Sequence, residues 1–512
     1  MKITKTTASL ILFILVFIAY ANSLDGEFVL DDIDTIVNNV QNGSLEWLFT
    51  SPAHFLLHVT YYFPRFISYS LGGQTPFFYH IFNLAFHLGT VFVLYLLLLR
   101  MWNERHAFMA SALYAVHPIL TESVAYVSAF IYPQYAFFVI GSLYTYMLSS
   151  KKKVYYWLSL VLFAMSLTSH LLAAVLPILL CLYELSFGSI KNNWKRIIPY
   201  FVITAVVGGL IMTVPSPATN SLVERPPKDN SQHNPFIKVP YITSSYLRFI
   251  VWPDKLTIYH KAELPSNREI ALSWLLFSSF LAIIVWSYKK HKNMFFWLMF
   301  FCISISPILL PTQRLWFAER YVYLGTIGVV CAVTYGLYQL RKFGKLRKFI
   351  DVLFVFLIIA LMIRTIVRNN DWNSAENFAY ATVKVSPYSS RAYMNLGSYY
   401  LEKNEPAKAL IEYKKSIEVG PKVIPGYLNV GYRYLALKNY DQAIAYFKKG
   451  VELDPTIWHS HYALSLAYYR SGAREKAIIE LKKAIELNTQ KTKMKEMQDA
   501  LKQITTQPDS DQ

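Results

Sequence analysis

Residues 349–372 read FIDVLFVFLIIALMIRTIVRNNDW, and the change of character inside this stretch divides the chain. From Phe349 to Val367 the residues are almost all apolar, and about 20 such residues suffice for a helix to cross a bilayer. Beyond them the sequence reads as polar helices with interspersed charge. Before them the apolar residues dominate. Over all 512 residues 54% are hydrophobic and only 16% charged, with a mean hydropathy of +0.28, which excludes an ordinary water-soluble chain and defines a membrane protein.

Working upstream, further apolar runs lie near residues 8–24, 82–99, 107–126, 133–149, 154–170, 172–187, 197–214, 270–288, 293–311 and 321–339. With 349–367 they predict about eleven transmembrane helices in an all-α polytopic fold. The net charge of +18 sits largely in short clusters between them: Lys151–Lys153, Lys191 with Lys195 and Arg196, Lys289–Lys292, and Arg341–Lys348. If the spans alternate from Lys2 and Lys5 inside, every cluster falls on the cytosolic side, as do Arg100 and Arg105. That is the positive-inside pattern, so the charge anchors topology and does not mark a nucleic-acid surface. An odd number of spans then exports everything after residue 368.

The first run can also be read as a signal peptide, because Ala19-Tyr20-Ala21 resembles a cleavage site; removal would leave the downstream topology unchanged. Cys181, Cys302 and Cys331 all lie inside apolar runs and read as packing residues. Two exterior loops are long, 25–80 and 215–269. Trp47, Leu48, Phe49, Phe55, Leu56 and Leu57 in the first suggest helices lying along the membrane surface. Tyr241–Trp252 in the second is apolar but too short to span.

Downstream, the chain repeats itself every 34 residues. Pro387, Pro421 and Pro455 share that spacing, as do Ala409, Ala443 and Ala477; Leu396, Val430 and Leu464; and Tyr413, Phe447 and Leu481. Small residues recur where paired helices approach and large ones fill between them. Thirty-four is the tetratricopeptide (TPR) period. The organisation is thus a membrane domain over 1–368, an α-solenoid of three repeats and a half-repeat over 369–490, and a charged helix and tail over 491–512. A TPR array offers a concave surface for an extended peptide or partner protein.

The residues that carry chemistry stand just outside the first span, in Gly26-Glu27-Phe28-Val29-Leu30-Asp31-Asp32. Two adjacent acids beside a low-dielectric surface repel each other, so at least one carboxyl is pushed toward the range useful for a general base. The alternative is a pair that only caps a helix.

The run Ala21-Asn22-Ser23-Leu24-Asp25-Gly26-Glu27-Phe28-Val29-Leu30-Asp31-Asp32, with Ile36 and Asn38, resembles the first-loop motif of the transmembrane-and-TPR O-mannosyltransferases, which are GT-C class glycosyltransferases. Gly72–His80 with Asn83 and His87, Ala115–Val124 (AVHPILTESV), Ala318–Leu324 (AERYVYL) and Asn370-Asp371-Trp372 resemble further motifs of that family, in order. The resemblance implies a GT-C fold, a sugar carried on polyprenyl or dolichyl phosphate, protein hydroxyl acceptors and inverting transfer outside the cytosol. That means the periplasm or exterior of a cell inner membrane, or the endoplasmic reticulum lumen in a eukaryote. On this likeness Asp31 is the base and Asp32 orients it or the acceptor. Arg65, Arg314 and Arg320 are candidates for the carrier phosphate, because a guanidinium matches phosphate oxygens. Glu122, an acid near an outer membrane end, is expected to steady an arginine or contact the sugar, and His117 to reach phosphate or acceptor. The acceptor is expected in the TPR groove. No cofactor is assigned beyond a divalent metal, which Asp31, Asp32 and Glu122 could in principle hold.

Two places depart from the family pattern. The stretch after Glu122, where an R-x-D-like pair is common, reads Ser128-Ala129-Phe130, and the usual S-K-E reads Ser169-His170-Leu171. Charges expected at the sugar or phosphate are missing, which makes mannose a family default. Two other readings remain open at this point: an O-antigen polymerase or ligase, and a non-catalytic membrane anchor for a TPR assembly factor.

Overall fold

A computed structural model describes residues 4–38, 44–213, 234–260, 265–310, 317–488 and 491–506. Among them the secondary structure is helical throughout. The membrane part comprises α1 (Lys5–Tyr20), α2 (Pro52–Gly72), α3 (Pro76–Met101), α4 (Glu104–Ala115), α5 (Thr121–Ala125), α6 (Ile131–Leu148), α7 (Lys153–Ser169), α8 (Leu176–Phe187), α9 (Ile190–Thr213), α10 (Pro235–Val251), α11 (Asn267–Lys290), α12 (Lys292–Ile305), α13 (Tyr323–Arg341) and α14 (Arg347–Asn369). Eight helical stretches among the described residues are long and apolar enough to cross a bilayer: Lys5–Ser23, Pro76–Met101, Val127–Leu148, Ile190–Ile211, Asn267–Lys290, Lys292–Leu309, Glu319–Arg341 and Gly344–Trp372.

The other three predicted spans differ in kind. The run at 107–126 is broken after α4, because proline at 118 cannot continue the hydrogen-bond ladder; a 3-10 turn, Pro118–Leu120, leads into the five-residue α5. The run at 154–170 forms α7, 17 residues long, and the run at 172–187 begins with a 3-10 turn before Pro177 opens α8. Of these, α4 and α5 pack deep among the other helices, whereas α7 exposes Val154, Trp157 and Val161 and α8 exposes Ile178 and Leu185. All ten residues from Ala107 to Val116 are buried, so that segment meets protein on every side.

Helix pairing follows the order of the chain, with α6 lying along α3 and α7, and α12 along α13. The α12–α13 approach depends on glycine: a Cβ at Gly328 would sit 2.5 Å from the Trp297 carbonyl oxygen and 2.7 Å from the Phe301 nitrogen. α14 instead leaves Val352, Phe356, Ile359, Ile363 and Val367 exposed along one stripe, a pattern suited to lipid and a liability in water. α2 exposes Leu56, Phe63 and Leu71 but is too polar to count among the spans, in keeping with a helix lying along the membrane surface.

The helix ends gather into two sets. At one, Arg341 and Arg105 both bind Asp351, and Tyr156 donates to the Arg196 carbonyl. At the other, Asn369 donates to the Ala19 carbonyl and to Asn22, Asn22 donates to the Ile366 carbonyl and to Asn370, and Asn373 donates to the Asn22 carbonyl. This asparagine ladder ties the end of α1 to the end of α14. Every basic cluster lies at the first set, away from the acidic loop.

The described chain divides into two compact units, the first reaching Phe378 apart from short loop stretches, the second running from Ala379. The division falls ten residues beyond the expected boundary at 368. Trp372 is the reason: it is buried, stacks on Tyr126 at 5.0 Å and meets Phe378 at 5.2 Å, and so draws the residues after α14 into the first unit. It lies before α15 (Ala375–Val385).

The second unit is a stack of helix pairs: α16 (Ser390–Glu402) with α17 (Pro406–Val419), α18 (Ile424–Ala436) with α19 (Tyr440–Leu453), and α20 (Trp458–Arg470) with α21 (Arg474–Leu487), followed by α22 (Lys491–Thr506). Ala409, Ala443 and Ala477 are fully buried at the approach points. Gly397 lies against the ring of Tyr413 and Gly431 against that of Phe447, the large residues of the same repeat. α22 adds Met497 and Ile504 to a core with Trp458, Leu481 and Ala484. It therefore closes the solenoid, where the sequence reading had it only as a solvating helix.

Candidate active site

The acidic loop leaves α1 through a 3-10 turn and reverses at Leu30, whose φ of 53° lies in the left-handed region. A branched residue there costs on the order of 1–3 kcal/mol and persists only where its surroundings hold it. The surroundings are supplied by Asp32, which is fully buried. Its backbone N–H donates to the Val29 carbonyl at 3.1 Å, and the Val29 N–H donates back to Asp32 Oδ2 at 3.1 Å. Asp32 Oδ1 accepts from the Ser128 N–H at 2.8 Å and from the Ser128 hydroxyl. The loop is thereby fastened to the entry of α6.

Burial pushes the Asp32 carboxyl up to about 6, against the opposing pull of the Ser128 hydroxyl, the Val29 and Ser128 N–H groups and the Arg65 guanidinium. Asp31, its neighbour, is exposed, and its carboxylate has no protein partner among the described residues. Thr35 donates to the Asp31 carbonyl at 2.7 Å, which fixes the backbone from which that side chain projects.

Arg65 comes from α2 and is buried. Its guanidinium lies 4.2 Å from the Tyr61 ring centroid and 5.2 Å from that of Phe130, and Nη1 donates to the Thr35 carbonyl at 3.1 Å. Nε and Nη2 are buried with no hydrogen-bond partner among the described residues. A desolvated guanidinium with two unused donors is a strong attractor for an anion.

The second cluster is built from α5, the 3-10 turn Glu319–Val322 before α13, and the end of α14. Glu122, with a fully buried side chain, forms an ion pair with the Arg320 guanidinium and accepts the Arg320 backbone N–H at 3.1 Å. Arg320 keeps part of its side chain exposed and lies beside the Tyr321 ring. Glu319 accepts the Thr257 N–H and lies 3.6 Å from Arg368, which in turn binds Asp371 at 2.7 Å. The Tyr126 phenol is within electrostatic reach of Asp31 and Asp32 of the first cluster and of Arg320 of the second.

Of the residues expected from sequence, Asp31, Asp32, Arg65, Glu122 and Arg320 gather at this end. His117 does not offer a ligand contact: Nδ1 accepts the Ile119 N–H, and Nε2 lies 2.8 Å from the Ile250 carbonyl as the donor. Both nitrogens are spent on backbone, which corrects the expectation of a phosphate contact. His87 is held at both nitrogens, by the Tyr323 hydroxyl and the Ala115 carbonyl, and His80 at Nε2 by the Gly26 carbonyl. Arg314 lies outside the described residues. The suggested metal set is not formed, since Asp32 is bonded to Ser128 and Glu122 to Arg320; among the described residues no three His, Cys, Asp or Glu side chains group to hold a metal.

Sequence reading passed over Ser128, Tyr126 and Arg368. Ser128 sits where the resemblance leads one to expect charge, and a hydroxyl carries no such signal in the sequence. Arg368 had a signal: it and Arg364 are cations at the end of α14 opposite the basic cluster Arg341–Lys348, where the positive-inside pattern does not expect them.

Comparison with known proteins agrees with both halves of the chain. The tetratricopeptide repeat model matches residues 390–422, 424–457 and 459–491. Protein O-mannosyl-transferase F38B6.6 of Caenorhabditis elegans is 26% identical over 420 residues, 76% of this chain and 59% of its own length. Human protein O-mannosyl-transferase TMTC1 is 23% identical over 78% of this chain and 54% of its own, and mouse TMTC3 24% over 77% and 49%. The chain thus spans about half the length of the relatives it matches. Among solved structures, MamA is 26% identical over 23% of this chain and 69% of its own, with a TM-score of 0.21, too low to bear on the fold. Carrying apolar helices long enough to cross a membrane and three TPR repeats, this chain is similar over about three quarters of its length to proteins named TMTC protein O-mannosyl-transferases.

Proposed function

We propose that the chain transfers a sugar, mannose by its relatives' names, from a polyprenyl-phosphate carrier to serine or threonine hydroxyls of proteins on the non-cytosolic side. The observation that carries the reading is the exposed Asp31 carboxylate, held on an Asp32-anchored loop beside the buried, unsatisfied guanidinium of Arg65. In the reaction the acceptor oxygen attacks the anomeric carbon and its proton passes to Asp31. The bond from that carbon to the carrier phosphate breaks, and the phosphate leaves with the electron pair, inverting the centre. Arg65 receives the growing charge on phosphate, and Arg320, partly exposed and neutralised by Glu122, lends its remaining N–H groups. Preorganised donors of this kind stabilise charge as it develops without reorganising. Asp32 acts as a positioning residue, holding the turn from which Asp31 projects.

The test is incubation of the purified full chain in nanodiscs with labelled polyprenyl-phosphate mannose and a Ser/Thr-rich peptide. Label should enter the peptide from the monophosphate carrier and not from a diphosphate-linked glycan. Transfer only from the diphosphate would refute this reading and favour a polymerase or ligase.

A further inference from the structure

Between the ends of α18 and α20 the second unit carries a hollow of about 450 Å³, whose lining includes Tyr432, Arg433, Lys438, Leu466 and Arg470. The lining holds three cations and no carboxylate. Tyr432 and Arg433 lie one turn beyond Asn429, which also lines the hollow, and Leu466 and Arg470 are four residues apart, so each helix turns one face to it. None of Arg433, Lys438 and Arg470 has an ion pair among the described residues. Lys438 is held in the left-handed region, φ 58°, in the turn between α18 and α19.

Arg433 and Arg470 occupy the last turns of their helices, where a cation also complements the helix dipole. That accounts for one cation per helix end. It does not account for Lys438, beyond the helix, or for three like charges around one hollow, whose mutual repulsion is relieved by an anion. The floor between them, Tyr432 and Leu466, suits an apolar side chain, and the Asn429 amide can bond a peptide backbone. Glu402 lies within electrostatic reach of the Tyr413 phenol, as does Arg433, and a single carboxylate leaves the cations in excess.

We infer that this hollow binds an extended acidic peptide segment, its Asp or Glu carboxylates on Arg433, Lys438 and Arg470 and an apolar side chain on Tyr432 and Leu466. The inference does not depend on sugar transfer, because binding is read without donor.

The probe is a fluorescent synthetic peptide of alternating Glu and Leu, with a Gln-for-Glu analogue, titrated by anisotropy into the full chain in neutral-lipid nanodiscs. The acidic peptide should bind at least about tenfold more tightly than the analogue, and the advantage should shrink as ionic strength rises. Arg433→Gln with Arg470→Gln should remove the advantage while the thermal unfolding profile is kept; Arg433→Lys should retain most of it. Equal binding of the two peptides to the unaltered chain overturns the proposal even if the double variant fails to fold. So does an undiminished advantage in a folded double variant.

Discussion

Asp31 and Asp32 are adjacent in sequence and opposite in circumstance. The Asp31 side chain is exposed and its carboxylate makes no hydrogen bond or ion pair among the described residues; Asp32 is buried, with hydrogen bonds to Val29 and Ser128. Sequence made the pair legible but could not separate the roles, because burial is decided by Ser128, 96 residues away. The distinction has a pH consequence. In the unfolded chain Asp32 ionises near 3.8, and in the folded chain near 6, so the folded form holds an extra proton between these values. The stability this contributes is fully present below 3.8 and is lost as pH rises through about 6. Unfolding midpoints across that window should therefore fall with pH in the native chain and less steeply in Asp32→Asn. Ser128→Ala removes a donor to the ionised form and should carry the fall to higher pH; an unchanged profile in both variants would show that Asp32 is not the group responsible.

Elements were legible where a period enforces them. The repeats could be read because every 34 residues a small side chain must sit against a large one, and the helices follow from that. Gly431 gives the sharpest case: a Cβ there would lie 2.4 Å from the ring of Phe447, which is fully buried and cannot swing away. Gly431→Ala should destabilise the repeat unit by about 1–3 kcal/mol, as overpacked cores do. The loss would be read as earlier trypsin cleavage within residues 390–487 under mild denaturant; unaltered cleavage would mean that the helix pair yields more easily than its packing implies. Where no period operates, sequence reading was less sure. The run at 107–126 is apolar enough for a span, yet Pro118 divides it into α4, a 3-10 turn and α5, and the break is what brings Glu122 to Arg320. Hydropathy registers the composition and misses the interruption.

At the scale of the molecule, the positive-inside pattern predicts that the end of the bundle carrying the basic clusters faces the cytosol. Arg105, Arg341 and the lysine clusters lie at one set of helix ends, and the acidic loop, Glu122 and Glu319 at the other. An impermeant maleimide applied to intact cells should label a cysteine placed at Asp25 and spare one placed at Lys151, both exposed positions; the reverse pattern would put the acidic loop on the wrong side for an exported acceptor. The motifs allowed the two halves and their order to be read, but not the left-handed turn at Leu30 or the unsatisfied donors of Arg65, which exist only once distant segments meet. The most direct test of the whole account is sugar transfer by purified Asp31→Asn, compared with the unaltered chain at equal abundance and with donor in excess. Loss of a positioned base should lower the rate by about 10²–10⁴-fold while the protein stays folded. An Asp31→Asn protein that transfers sugar at the native rate would contradict it.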